Sequence, residues 1–156
     1  KAGAQSVRPD VEVTVVYIGS FDDVTKAKEA ALAQASAGVD VLFHIADAAG
    51  LGIIQAIEEQ NIWGIGWGID QNSLAPKNII SSLISSGAEL LVQDVAKVVD
   101  GTWTGEVRLY GLSTGVVGIA DYHGLVPADV AAKVEEARQK IVSGELEIPY
   151  SATPSE

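Results

Sequence analysis

The side chains best suited to binding chemistry lie in three short polar loops, each of which follows a hydrophobic segment. The loops span residues 19–22 (GSFD), 47–50 (DAAG) and 68–72 (GIDQN). They offer the ring of Phe21, backbone N–H groups around Gly50, the carboxylate of Asp70 and the amides of Gln71 and Asn72. An aromatic face for stacking and hydrogen-bonding groups for orientation suit a polar, partly flat small molecule.

Each candidate residue also has a structural interpretation, which the sequence leaves open. Phe21 is placed to cover the start of the helix that follows it, Gly50 to form a loop, and Asp70 to stabilise a turn or a cap. Trp67 lies within a predicted strand, where its ring suits the core as well as the wall of a pocket. The candidate ligand-binding residues are Phe21, Gly50, Trp67, Asp70 and Gln71.

The motifs of common enzyme classes are absent from the sequence. It contains no G-x-S-x-G elbow, no H-E-x-x-H motif and no complete Walker loop, and its glycine-rich stretches fit the dinucleotide-binding fingerprint poorly. His44 and His123 have no metal-ligand spacing around them. His44 lies within an apolar strand and is more typical of a core residue than of a catalytic base.

A pairing of Asp47 with Asp70 would imitate a metal or phospho-acceptor site of the receiver type. Such a domain has clustered acids after its first strand, whereas this chain has Gly19, Ser20 and Phe21 there. We therefore predict a protein that is not an enzyme and that uses no cofactor and no metal. A flavodoxin-like enzyme or signalling domain is the alternative.

Strands that alternate with helices must position these loops. Residues 11–18, 39–46 and 62–69 are rich in β-branched or apolar residues and predict strands. Residues 22–37, capped by Asp22 or Ser20, and residues 51–60 predict the intervening helices. This spacing predicts a parallel sheet with right-handed crossovers, in which 39–46 lies between 11–18 and 62–69 or in an equivalent permutation. Ligands of such sheets bind at the carboxyl ends of the strands, where the three loops should adjoin.

The second half of the chain is less regular. We predict a short strand at 79–83, a helix at 88–99, two extended segments at 106–112 and 116–122, an amphipathic helix at 127–143, and an extended tail from 147. Residues 1–6 resemble the last turn of a helix, before which an α/β domain would ordinarily place a strand. We therefore interpret the sequence as one piece of a larger two-lobe protein.

The composition and net charge of the chain limit the classes of protein to which it can belong. The 156 residues are 47% hydrophobic, without any apolar run near the roughly 20 residues of a membrane-spanning helix, which favours one α/β core. The formal net charge of −11 would repel a phosphate backbone, so we expect no nucleic-acid partner. The sequence has no cysteine, and its opening KAGAQSVRPD lacks the pattern of a signal peptide.

Four stretches resemble the basic membrane protein family of bacterial solute-binding lipoproteins, several of which are purine nucleoside receptors. They are YIGSFDDVTKAKEAA (17–31), GVDVLFHIADAAGLG (38–52), IGWGIDQN (65–72), and VVGIADYHGLVPADV leading into KIVSGELEIP (116–149). The resemblance implies the type I periplasmic-binding-protein fold, an α/β fold in which two lobes close on a ligand. Residues 1–105 would form most of the C-terminal lobe without its first strand, and 106–156 the crossover strands and C-terminal helix spanning the hinge.

The resemblance also implies a function and a location. It implies the extracytoplasmic solute-binding component of an ABC importer, which binds a nucleoside, nucleobase or similar small polar solute. Its partners would be that ligand, an ABC permease and the N-terminal lobe of the same protein. The protein would be periplasmic or at the cell surface, lipid-anchored through an N-terminal segment missing here.

Individual residues match the family pattern or depart from it. Phe21 matches the family aromatic, Gly50 lies in the pocket-lining loop, and Asp70 with Gln71 matches the acidic-amide pair after the third strand. Two departures concern the ribose: Gly68 stands where nucleoside-binding relatives often have an acid, and 85–86 are serines where they often have a basic pair. A free purine base is therefore an alternative to a nucleoside.

Overall fold

Four strands form one sheet in the order β1-β2-β3-β4 in the computed structural model, which describes residues 1–148. The strands are β1 (Val41–Phe43), β2 (Trp63–Gly68), β3 (Ile79–Ser85) and β4 (Val117–Ile119). The first three are parallel and β4 is antiparallel to β3. The helices are α1 (Ala2–Val7), α2 (Val24–Ser36), α3 (Gly50–Gln60), α4 (Gly87–Val99) and α5 (Ala128–Ser143).

One face of the sheet packs against α2 and α3, and we call it the packed face. At β1 its side chains are Leu42 and, one residue beyond the strand, His44, which are 6% and 3% exposed. The core beneath them is almost solvent-free and consists of small and branched residues: Ala31, Ile54, Ala56, Ile57, Ala75 and Ile79. The alanine-rich α2 lies so close to α3 that a Cβ on Gly52 would be 2.0 Å from the Val24 carbonyl oxygen.

The opposite face of the sheet, which we call the open face, is poorly covered. Val41, Phe43 and Trp63 are 43%, 47% and 45% exposed, and Ile45, just beyond β1, is 58% exposed. A groove of about 400 Å³ runs along it. The groove is lined by Val41, Trp63, Ile80, Leu125, Val126, Pro127 and Val130, so the chain leading into α5 supplies part of the cover.

Helix α4 is amphipathic but has no buried residue. The apolar side chains Leu91, Val95 and Val98 are each about 60% exposed. Its cap is well formed, because Ser86 Oγ accepts a hydrogen bond from the Glu89 backbone N–H at 3.1 Å. The helix therefore forms from local signals, while its apolar side chains stay largely exposed.

The prediction of a strand at 11–18 is wrong. These residues form no ladder, and Val15 and Tyr17 are 65% and 83% exposed. The sheet ends at β1, so 39–46 does not lie between 11–18 and 62–69. β-branched residues favour extended backbone, but a strand also needs a hydrogen-bonded neighbour, and none lies beside this segment in the described chain.

The extended segment predicted at 106–112 joins no ladder, and its Arg108 and Tyr110 bind the carboxylate of Asp94 on α4. One smaller prediction is wrong. The cap of α2 is Asp23, which accepts from the Lys26 backbone N–H at 2.9 Å, rather than Asp22 or Ser20.

The α/β class is confirmed, and most elements match the sequence patterns. The helices predicted at 22–37, 51–60, 88–99 and 127–143 and the strands at 62–69 and 79–83 all form, with ends displaced by two residues or fewer. The strand at 39–46 forms only over Val41–Phe43, and the segment at 116–122 contains β4. Nearly all of the tail predicted from 147 lies outside the described residues. None of the helices in residues 1–148 is long and apolar enough to cross a membrane.

Candidate functional site

The three polar loops adjoin at the carboxyl ends of the parallel strands. The Ala49 backbone N–H donates to the Phe21 carbonyl oxygen at 2.9 Å, which links the first loop to the second. The second and third are linked through His44, whose ring lies against Gly50 and whose Nε2 is 2.9 Å from Gln71 Oε1. Four of the five candidate residues, Phe21, Gly50, Asp70 and Gln71, therefore lie in one connected loop cluster.

Phe21 sits on a turn that directs the chain into α2. Ser20 Oγ accepts from the Asp23 backbone N–H at 3.1 Å and donates to the Asp22 carboxylate at 2.6 Å. The Phe21 ring remains 65% exposed. Because the ring is not used in the core, it is free to stack on a flat partner.

Gly50 begins α3 and is buried under the His44 ring. A Cβ at this position would lie 2.2 Å from His44 Cε1 and 2.5 Å from Nδ1, so a larger residue would displace the imidazole. The glycine is therefore more than a flexible loop former, because its missing side chain makes room for His44. The Gly50 backbone N–H is already bonded within the chain, to the carbonyl oxygen of Asp47 in the short 3-10 turn that precedes α3.

Gln71 is held at both its backbone and its side chain. Its backbone N–H donates to Ser82 Oγ at 3.0 Å. Its Oε1 accepts from the Trp67 backbone N–H at 2.9 Å and lies 2.9 Å from His44 Nε2. A Cβ on Gly66 would be 2.8 Å from that oxygen, so this glycine admits the Gln71 side chain against β2.

The ring of Trp67 does not join the cluster. It lies on the open face and meets Phe43 edge-on, with ring centroids 6.4 Å apart and planes at 61°. Only its backbone N–H reaches Gln71. The ring therefore lies outside the core beneath α2 and α3 and outside the loop cluster.

Asp70 is partly engaged within the protein. Its Oδ1 accepts from the Asn72 backbone N–H at 3.1 Å, which is the turn-stabilising role that the sequence left open. Its Oδ2 lies 2.8 Å from Nε2 of His123, in the loop after β4. The carboxylate is still 40% exposed. Sequence analysis missed His123 here, because no local pattern links residues 53 positions apart.

His44 is a buried histidine with only one of its ring nitrogens bonded. Burial lowers its pKa, and the hydrogen bond to Gln71 and the charge of Asp47 oppose that shift. The imidazole is therefore neutral near pH 7. Among the described residues no group pairs with its buried Nδ1. The prediction of a core histidine is confirmed for its location, but its hydrogen-bonding capacity is only half satisfied.

A cavity of about 180 Å³ lies away from the loop cluster, between β4 and α5. It is lined by Ile119, Ala120, Tyr122, Ala131, Val134, Glu135 and Arg138. Arg138 binds Glu135 through two bonds of 2.7 Å and lowers the pKa of that carboxyl to about 2. Neither this cavity nor the groove on the open face includes a candidate residue. The loop cluster is open to solvent where Phe21 and the side chain of Asp70 are 65% and 40% exposed.

Comparison with protein families gives one match that covers almost the whole chain. The family is described as Bmp, ABC transporter substrate-binding protein PnrA-like, and its model matches residues 1–152. The Basic membrane protein A2 of Borrelia garinii is 32% identical over 97% of this chain and 46% of its own length. A purine-binding protein of Brucella abortus is 31% identical over 92% of this chain and 40% of its own length. The chain thus spans about half the length of the curated relatives it matches.

Solved structures share the fold. An ABC transporter solute-binding protein from Aeropyrum pernix superposes with a TM-score of 0.78 at 25% identity, over 96% of this chain and 50% of that one. A protein from Bacillus halodurans described as a transcriptional activator of the comK gene gives a TM-score of 0.85 at 24% identity, over 95% of this chain and 52% of its own. At that identity the second likeness shows the fold alone.

Proposed function

This chain belongs to the Bmp family of PnrA-like ABC transporter substrate-binding proteins, and on that premise we propose that it binds a nucleoside, a nucleobase or a similar small polar solute. The ligand is captured outside the cytoplasm and passed to an ABC permease, without chemical change. The family match over residues 1–152 carries this proposal. The description of the Brucella abortus relative as purine-binding supports the choice of ligand class.

The loop cluster is the part of the chain that we assign to the ligand. Phe21 stacks on the flat ring, since its own ring is exposed and held by the capped turn before α2. Asp70 accepts hydrogen bonds from the ligand through the exposed part of its carboxylate. Gln71 supplies donors through its side-chain amide, and Gly50 leaves room for the His44 ring that contacts Gln71. Trp67 contributes by fixing Gln71 through its backbone N–H rather than through its ring.

We assign this chain to one lobe of a two-lobe protein. Residues 1–105 form most of the C-terminal lobe, and residues from 106 onward include the crossover toward an N-terminal lobe. Three features support this: the loop cluster is open to solvent, the open face exposes apolar residues, and segment 11–18 has no ladder partner among the described residues. A lipid anchor at the N-terminal side would hold the whole protein at the membrane surface near its permease.

Calorimetric titration of the complete natural polypeptide with nucleosides, purine bases and sugars tests the ligand class. We expect saturable binding of a nucleoside or a purine base, with the ligand recovered unchanged by chromatography. Conversion of the ligand to a product would favour the enzyme alternative. Binding of a sugar, with no response to any purine compound, would overturn the ligand class.

Two substitutions test the assigned roles. Asp70→Ala leaves ligand donors unpaired, at a cost of about 1–3 kcal/mol, whereas Phe21→Leu keeps apolar area and loses a stacking term of about 0.5–1.5 kcal/mol. Asp70→Ala should therefore weaken binding more. If Asp70 serves only the turn to Asn72 and the contact with His123, the melting temperature will fall while the dissociation constant stays unchanged.

The chain of 156 residues should bind the same ligand more weakly than the complete polypeptide. A closing site contacts its ligand from both sides, and the loop cluster supplies one side. Equal affinities in parallel titrations would refute the two-lobe assignment.

A further inference from the structure

The hydrogen bonds around Gln71 fix the orientation of its side-chain amide. The Trp67 backbone N–H can only donate, so the Gln71 atom that it meets at 2.9 Å must be the carbonyl oxygen Oε1. The same oxygen lies 2.9 Å from His44 Nε2. An oxygen cannot donate, so His44 must carry its proton on Nε2, and Nδ1 keeps a lone pair.

Two glycines prevent this pair from rearranging. The His44 ring fits only because Gly50 has no Cβ, and the Gln71 side chain fits against β2 only because Gly66 has none. The Gln71 backbone N–H is fixed as well, by Ser82 Oγ at 3.0 Å. The oxygen end of the amide therefore faces inward between β2 and the imidazole.

The nitrogen end of the amide is left available. Within residues 1–148, Gln71 Nε2 makes no hydrogen bond, and it is not among the buried polar atoms that lack a partner. It therefore has contact with solvent, in the loop that also carries Asp70. Its two N–H groups form a preoriented donor.

The unpaired nitrogen of His44 indicates why a histidine stands there. Leaving the buried Nδ1 without a partner is unfavourable, and an apolar ring of similar size would avoid that loss. The bond from Nε2 to Gln71 is the one polar contact that the described structure gives to this ring. A residue of this kind orients a neighbouring side chain, here that of Gln71, and lowers the stability of the fold. Residues that position binding sites often have this property.

We infer that His44 is a positioning residue that fixes Gln71 as a donor to an acceptor atom of the ligand, either a carbonyl oxygen or an unprotonated ring nitrogen. The inference rests on the proposed function and deepens it, because it names the ligand feature that Gln71 recognises. If the Gln71 amide could rotate, it would present either its N–H donors or its carbonyl oxygen to the ligand. Because the Gln71 amide is fixed, ligands that present an N–H group at this point bind more weakly, since two donors would then face each other.

A double-mutant cycle in the complete polypeptide, with hypoxanthine as the probe, tests the inference. His44→Phe keeps a ring over Gly50 and removes the donor to Gln71. We expect about tenfold weaker hypoxanthine binding, with a melting temperature that is unchanged or higher. Gln71→Leu should weaken binding at least as much. In the Gln71→Leu background, His44→Phe should cause no further loss, because its effect passes through Gln71.

Two further measurements separate this inference from the proposed function. Nitrogen NMR of the unliganded protein should show the proton of His44 on Nε2, and His44→Gln, which restores an N–H donor, should recover most of the lost affinity. Additive effects in the cycle, or a proton on Nδ1, would overturn the positioning role even if hypoxanthine binds normally. A native protein that binds no nucleoside and no purine base would overturn the ligand class of the proposed function itself.

Discussion

The two faces of the sheet differ although the same strands make both. At β1, Leu42 and the adjoining His44 of the packed face are at most 6% exposed, whereas Val41 and Phe43 of the open face are 43% and 47% exposed. The packed face is covered by α2 and α3, which directly precede and follow β1 in the chain. Elements adjacent in the sequence therefore cover the packed face, whereas the open face is covered only in part, by the distant segment that leads into α5.

Removing a buried side chain from beneath the packed face should have the largest effect on folding. Ile57 is fully buried between α3 and the sheet. We expect Ile57→Ala to lower the free energy of unfolding by about 4 kcal/mol, from lost burial and the cavity left behind. Ile45→Ala, at 58% exposure, is the matched change on the open side and should cost less than about 0.5 kcal/mol.

Urea denaturation of both variants measures this difference. Similar costs for Ile57→Ala and Ile45→Ala would show that Ile45 is packed in solution. The two faces would then not differ as described.

The second prediction compares two helix glycines. A Cβ on Gly52 in α3 would meet the Val24 backbone oxygen at 2.0 Å, whereas one on Gly87 in α4 would meet nothing within 4 Å. Gly52→Ala should therefore destabilise the chain by about 3 kcal/mol, because α2 and α3 must separate. Gly87→Ala should be neutral or stabilise by up to about 1 kcal/mol through helix propensity. Melting temperatures of the Gly52→Ala and Gly87→Ala variants test this difference. Equal shifts would contradict the close contact of α2 with α3.

The third prediction concerns the dependence of folding stability on pH. Its expected effect is the smallest, because one group of the packed face, His44, causes it. Burial holds the pKa of His44 below its ordinary value of 6.5, so the unfolded chain takes up a proton more readily than the folded one. The folded state should thus keep its full stability above pH 6.5 and lose some as the pH falls below it. The charge of Asp47 acts in the opposite direction and reduces the loss.

The control for the pH effect is His44→Phe, which should remove the loss just below pH 6.5. Glu135 and Glu136 on α5 also have lowered pKa values, held by Arg138 and Lys140, but they protonate only below their ordinary value of 4.5. Unfolding measured at several pH values distinguishes the two ranges. A His44→Phe protein with the native pH profile above 5 would exclude His44 as the cause.

These comparisons also explain what could be predicted from the sequence. Helices α2 and α3 and strands β2 and β3 were predictable because their periodicity, glycines and caps lie within each segment. Residues 11–18 and 106–112 have equally good strand composition, yet they form no strand, because pairing depends on a neighbour that composition cannot supply.

The candidate site shows the same limit. Sequence order placed Phe21, Gly50, Asp70 and Gln71 in loops that the sheet brings together. The contacts that fix these residues were not predictable, since His44 meets Gln71 across 27 positions and His123 meets Asp70 across 53. The sequence identified the loops, while the side chains that orient them depend on the tertiary fold.

The open face also has a consequence for the colloidal behaviour of the isolated chain. Exposed apolar surface promotes association, and the edge strand β1 offers unpaired backbone groups beside it. The net charge of −11 keeps copies apart by repulsion, which reaches about 10 Å in 0.1 M salt and only about 3 Å in 1 M salt. Added salt should therefore increase light scattering from this chain, and a charged substitution at Ile45 should delay that rise.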